Sequence, residues 1–169
     1  MFSRKVADFL AKILPHRDIV KPEGLYLRRF YLTPRRWPIR IFLHYIGLSD
    51  VDTDLHDHPW SFVTVILSGG YNEELPCKFT IDWREVLGGN VTRWSTYFKR
   101  RRAGSIIMHH ATDSHKVHLV NGKPSWSLVF SKRAVRNWGF KTGMEGWTDW
   151  RTYLNLPNQP DHLEDEIYD

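Results

Sequence analysis

Two hydrophobic rhythms divide this chain. Over residues 2–14 the apolar positions are Phe2, Val6, Phe9, Leu10, Ile13 and Leu14, the three- and four-residue steps of a helix that buries one face. Ser3 can cap its start and Pro15 stops it. From residue 25 the rhythm shortens to runs rich in β-branched and aromatic residues. Runs at 25–32, 39–46, 62–67, 78–83, 91–98, 105–109, 115–120 and 126–130 predict strands. The breaks between them carry turn chemistry: Thr33-Pro34, Ser68-Gly69-Gly70, Gly88-Gly89-Asn90 and Asn121-Gly122-Lys123-Pro124. Asn121-Gly122 between two apolar runs predicts a hairpin. Strands at this spacing, with no helices among them, predict an all-β sandwich or barrel. After Gly143, the steps between Trp147, Trp150, Tyr153 and Leu154 predict a short docked helix, ended by Pro157 and Pro160. The 169 residues form one expected domain: helix 2–14, core 25–140 and a helical or irregular C-terminal extension, 141–169.

Composition narrows this picture a little. Cys77 is the one cysteine, so no disulfide can form within the chain. Asp8 and Lys12 interrupt the apolar N-terminal stretch and no cleavage pattern follows it. No run approaches the length of a membrane span, so a soluble, cytoplasmic protein with no membrane partner is expected. Net charge is +5 with eight Trp, a combination that nucleic-acid binders share. A surplus this small is also ordinary in enzymes, so nucleic acid is not the expected partner. Lys99-Arg100-Arg101-Arg102 reads as a solvated strand edge that discourages edge-to-edge pairing; the competing reading is a rim that draws anions. Arg84 and Arg93, around the Gly88-Gly89 turn, read as surface residues. Trp94-Tyr97-Lys99 is the one candidate for base stacking.

The chemistry lies in the histidines. In an extended chain, residues two apart face the same way, so His56 and His58 can converge on one point. Neutral imidazole is a common ligand for Zn, Fe, Ni and Cu. The third ligand must come from 104–120, which holds His109, His110, His115 and His118. His115 shares its face with Val117 and Leu119, whereas His118 shares its face with Lys116. The apolar face is the interior one, which turns His115 inward and His118 outward. His109 and His110 precede the turn at 111–114 and are placed at the cavity mouth. Glu73 and Glu74 can reach back to hydrogen-bond a ligand, and Arg102 is a further candidate at the rim. Asp57, on the opposite face, is expected to bond a backbone group, and His44 to be a hydrogen-bonded core residue.

These residues resemble the two motifs of the cupin superfamily, G-x5-H-x-H-x3,4-E-x6-G and G-x5-P-x-G-x2-H-x3-N. His56, His58 and Gly69 or Gly70 fit the first; Gly104 and His115 fit the second. The resemblance spans about 39–130 and implies a double-stranded β-helix, or jelly roll. The chain departs from it at five motif positions. Phe62 or Val63 stands where the motif Glu belongs, and Asp50 where the first Gly does. His110 and Thr112 replace the Pro and second Gly of the later motif, and Leu119 replaces its Asn. The three histidines that remain are similar to the set in cysteine dioxygenase and related thiol dioxygenases. That similarity implies Fe(II) on His56, His58 and His115, open positions for substrate and dioxygen, and a small polar or anionic substrate. A homodimer is also implied by the superfamily. The alternatives are a Zn, Ni or Mn cupin acting as isomerase, hydrolase or metabolite-binding module, or a basic β-sandwich that binds nucleic acid or a protein partner.

Overall fold

A computed structural model describes residues 3–77, 95–142 and 146–156. The expected strand at 78–83, the Gly88-Gly89-Asn90 turn, Arg84, Arg93 and Trp94 lie outside these residues, as does the end of the C-terminal extension. Helix α1 (Arg4–Leu10) is followed by β1 (His16–Lys21), β2 (Gly24–Tyr31), β3 (Arg40–Ile46), β4 (Leu55–His56), β5 (Phe62–Ser68), β6 (Gly70–Pro76) and β7 (Thr96–Arg102). Then come β8 (Ile106–His109), β9 (Lys116–Leu119), β10 (Ser125–Ser131), β11 (Gly139–Lys141), β12 (Thr148–Asp149) and the single-turn helix α2 (Trp150–Tyr153).

The first layer is a six-stranded sheet in the order β1-β2-β3-β10-β5-β8, antiparallel throughout. The second layer is made of β7-β6-β9 and β12-β11-β4, joined where His56 pairs with His115. At that junction His56 N–H donates to His115 C=O at 3.0 Å, and His115 N–H donates to His56 C=O at 2.8 Å. The chain passes between layers at Gly69 (φ 77°) and Gly70 (φ 111°), a left-handed corner between β5 and β6 that favours glycine.

Alternation divides β3, β5, β8 and β10 between two environments. Phe42, Val129, Thr64 and Ile107 face the second layer and are buried. On the other side, Phe30, Tyr45 and Trp126 lie under Ala7 of α1, with Phe30 and Trp126 stacked at a centroid separation of 6.3 Å. The helix therefore covers a sheet, as its single apolar face requires, although it is shorter than 2–14. Ser3 stands at its N-cap position without a side-chain capping bond.

Two expectations are corrected here. Asn121-Gly122 does form a left-handed turn, with φ 52° and 63°, but β9 and β10 do not pair. β9 pairs with β6 and β10 with β3 and β5, so the turn carries the chain between layers instead of closing a hairpin. The basic run at 99–102, expected as a solvated strand edge, is one except at a single residue. It is the second half of β7, the edge strand of its sheet, and Arg101 points inward from it. Among the described residues no helix is long and apolar enough to cross a membrane.

Candidate metal centre

The His56–His115 pairing sets the site. Directly opposed residues of an antiparallel pair project to the same face, so a ligand from each half of the chain arrives at one point. Their ring centroids are 5.1 Å apart. His58, two residues beyond His56, lies with its ring centroid 5.1 Å from His56 and 5.0 Å from His115. One nitrogen from each of the three rings lies within 4.8 Å of the others. His58 Nε2 and His115 Nε2 are 2.9 Å apart. Two nitrogens bound at right angles to one ion, each at about 2.1 Å, would stand about 3.0 Å apart. The spacing thus suits two neighbouring ligands of a single ion.

The chemistry of the rings suits it as well. Burial pushes the His56 imidazole down to about 4 and holds His58 well below the ordinary histidine value. Both are therefore neutral near pH 7, the form that binds metal. The tautomer of His115 follows from its partner. Its Nδ1 lies 2.7 Å from Glu73 Oε1, and an ionised carboxylate only accepts. The proton is therefore on Nδ1, and the Nε2 lone pair is directed at the point where the rings meet.

Glu73 is fully buried. Oε1 also takes a bond from His109 Nε2 at 2.9 Å, and Oε2 takes one from Arg101 Nε at 2.6 Å. Burial alone would raise its carboxyl, but the bonds from His109 and His115 hold it well below the usual carboxylate range. Glu73, His109 and His115 could themselves enclose an ion. Yet both oxygens of Glu73 already meet donors, and His115 can give its Nδ1 proton to Glu73 while offering Nε2 elsewhere. The carboxylate is best understood as the anchor that fixes the His115 ring.

Asp57 does the equivalent on the far side of the β4 segment. Oδ1 accepts from Gly139 N–H at 2.7 Å, and Oδ2 accepts from Arg136 at 2.5 Å and Trp147 Nε1 at 2.9 Å. The C-terminal segment is thereby tied to the backbone between His56 and His58. Trp138 and Phe140 lie with their ring centroids 6.3 Å from His56.

The three histidines open onto a cavity of ≈ 110 Å³ between the layers. Its walls are mainly apolar, from Leu27, Phe42, Ile46, Trp60, Phe62, Val117 and Val129, with Ser127 and Thr64 among them. Arg29 enters from β2, its guanidinium 5.1 Å from the centroid of Phe42 and 5.7 Å from that of Trp60. Arg29 Nε donates to His44 Nε2 at 3.2 Å, and burial keeps His44 neutral, well below its ordinary value. No carboxylate forms an ion pair with Arg29 among the described residues. Tyr26 donates to Asp50, whose other oxygen accepts from Val117 N–H at 2.7 Å and lies 3.9 Å from His56 Nδ1. Tyr71 is buried too, and burial raises both phenols, so both stay protonated.

The other candidates are placed differently. His109 is buried beside Glu73 and Phe62, not at the mouth, because β8 turns it inward in register with Phe62. His110 is exposed in the following turn. Arg102 is exposed, and alternation gives the inward position on β7 to Arg101. His118 faces away from the cavity and bonds Glu74 at 2.8 Å; Glu74 also accepts from Thr96. Arg29, Tyr26 and Asp50 were missed in the sequence. Arg29 shares a face of β2 with Leu27, a parity that could have marked it as an inward-facing cation.

No protein-family model matches the chain, and no curated protein matches it in sequence. Solved structures do. A cupin-2 domain from Rhodospirillum rubrum is 9% identical with a TM-score of 0.54, covering 76% of this chain and 76% of its own. Fe(II) HppE is 11% identical with a TM-score of 0.51, covering 71% of this chain. This chain thus spans 57% of the length of HppE. The DMSP lyase DddQ from Ruegeria pomeroyi is 15% identical with a TM-score of 0.51, covering 81% of this chain and 66% of its own. What is shared is the fold: the double-stranded β-helix of the cupins.

Proposed function

We propose that this cupin-fold chain is a metal-dependent enzyme holding one divalent ion on His56, His58 and His115, and that Fe(II)-dependent dioxygenase chemistry on a small anionic molecule is its activity. The observation that carries this reading is the meeting of three histidine nitrogens within 4.8 Å at the wall of a cavity that also contains the Arg29 guanidinium. A ferrous ion supplies Lewis acidity and a redox-active centre. The likeness in fold to Fe(II) HppE agrees with this choice of metal.

The chain's own groups do the rest. Three neutral ligands leave the full charge of the ion uncompensated, which favours an anionic substrate. Arg29, braced by Phe42, Trp60 and His44, gives a second positive position for a carboxylate or similar group. Apolar walls exclude water and strengthen both attractions. Tyr71 can donate a proton in a hydrogen bond but not accept negative charge near pH 7.

A second reading, lyase or other non-oxygenase chemistry on the same ion, is favoured by the hydrogen-bonded Tyr26–Asp50 pair, which places a phenol and a carboxylate at the cavity wall beside His56. The fold likeness to the DMSP lyase DddQ agrees with it. Oxygen uptake by the Fe(II)-loaded protein with a panel of small thiols, carboxylates and 2-oxoacids decides between them. Uptake matched to substrate loss supports the dioxygenase. Substrate loss that continues without oxygen supports the second reading.

A further inference from the structure

One end of the first layer is basic and apolar at once. β2 leads into β3 through residues 32–39, and β10 ends at Ser131, the register partner of Arg40. The β2–β3 connection and the chain after β10 therefore leave from neighbouring strand ends. Extending the antiparallel register by one step sets Lys132 opposite Ile39. A turn closed by Trp37 N–H donating to Pro34 C=O at 3.0 Å presents Arg36 and Trp37 at the surface. Arg133 Nη2 donates to Arg36 C=O at 3.4 Å and joins the two segments. Val135 N–H donates to Pro59 C=O at 2.8 Å, which fixes the second segment beside the residues that follow His58.

Arg36, Lys132 and Arg133 are all exposed, and no described carboxylate forms an ion pair with any of them. Neither 32–40 nor 131–138 contains Asp or Glu. Among these cations stand Trp37, Ile39 and Val135, at 50%, 52% and 77% exposure. A partner must therefore carry negative charge and offer an apolar medium at the same boundary. An anionic bilayer does both: phosphate headgroups meet the cations, hydrocarbon lies just beneath, and Trp suits the interface between them. Single-stranded nucleic acid also offers phosphates, but it is gripped by successive aromatic rings. Here one aromatic stands with two aliphatic side chains, which favours the lipid.

We propose that this end of the sheet docks the protein on an anionic phospholipid surface. Arg36, Lys132 and Arg133 meet the headgroups, and Trp37, Ile39 and Val135 sit at the hydrocarbon boundary. The expectation of no membrane partner comes from the lack of a spanning segment, which bears on crossing a bilayer and not on binding its face. Docking does not depend on the metal centre.

Co-sedimentation of the full-length protein with phosphatidylcholine vesicles, with and without phosphatidylglycerol, is the test. Binding to the anionic vesicles alone is expected. It should weaken as salt rises from about 0.1 to 1 M, where the screening length falls from about 10 to 3 Å. Arg36→Glu with Arg133→Glu should weaken binding at least about tenfold. Trp37→Ser with Val135→Ser leaves the charge unchanged and should still weaken binding several-fold, which attraction between charges alone would not give. These four side chains are exposed, so both variants should melt with the parent; the second decides the matter alone if the first fails to fold. Lys99→Glu with Arg100→Glu makes the same charge change on exposed residues of β7 and should weaken binding much less. No binding to anionic vesicles, an equal loss in the β7 variant, or full binding by Trp37→Ser with Val135→Ser would overturn the proposal. So would binding of a single-stranded oligonucleotide in place of vesicles.

Discussion

One carboxylate decides how the candidate centre is built. Glu73 receives His115, His109 and Arg101 at 2.7, 2.9 and 2.6 Å, so its removal frees one ring and strands two other donors. Glu73→Gln should lower metal affinity by roughly 10–100-fold, as expected when the partner of a ligating histidine is lost. Competition against a chromophoric chelator measures this directly. Acid should act through the imidazoles. His44, His56 and His58 take up protons in the folded chain at lower pH than in the unfolded chain, where the value is near 6.5. Between those limits the unfolded state binds more protons, so stability of the metal-free protein should fall as pH drops from 6.5 through about 4. Urea denaturation across that range should show a steadily declining midpoint; a flat profile would contradict burial of these rings. The parity that turned His115 inward and His118 outward was legible in the sequence, because one alternation governs both. Glu73 was only half legible. Its neighbour Glu74 looks the same in sequence, and register with Val117 and Lys116 separates their roles.

At the scale of elements, the short strands around the site are held by side chains more than by ladders. β4 has two residues and β12 two, and Asp57 ties that region to the C-terminal segment through Gly139, Arg136 and Trp147. Asp57→Ala leaves Arg136 with the Ala111 carbonyl but no counter-charge, and the Gly139 N–H and Trp147 Nε1–H without this acceptor, and should cost roughly 3–5 kcal/mol in chemical denaturation. On the opposite side, Trp126 packs between Phe30 and Tyr45 under α1. Trp126→Ala should cost about 3–5 kcal/mol by the same measurement while leaving metal affinity within a few-fold. These elements were unevenly readable. Alternation revealed β2, β3, β5 and β10, whose two faces differ. It did not reveal β1, which is mostly exposed, or β11 and β12, which are too short to establish a period. Asn121-Gly122 gave the right local turn and the wrong pairing, since turn chemistry fixes backbone angles and not which strands meet.

For the molecule as a whole, two layers enclose a cavity, and the ligands come from segments 57 residues apart in sequence that join at a single strand pairing. Binding at such a junction should stabilise the whole fold. At a hundredfold excess of free metal over its Kd, the gain should be about 2.7 kcal/mol, seen as a higher melting temperature that a chelator reverses. The jelly-roll architecture was legible because strand spacing and the two histidine segments agreed with it. The centre itself is tested most directly by anomalous X-ray diffraction at the absorption edge of iron from crystals loaded with Fe(II). One anomalous peak per chain, within about 2.3 Å of a nitrogen from each of His56, His58 and His115, is the predicted result. No peak, or a peak held by Glu73 and His109 instead, would contradict it.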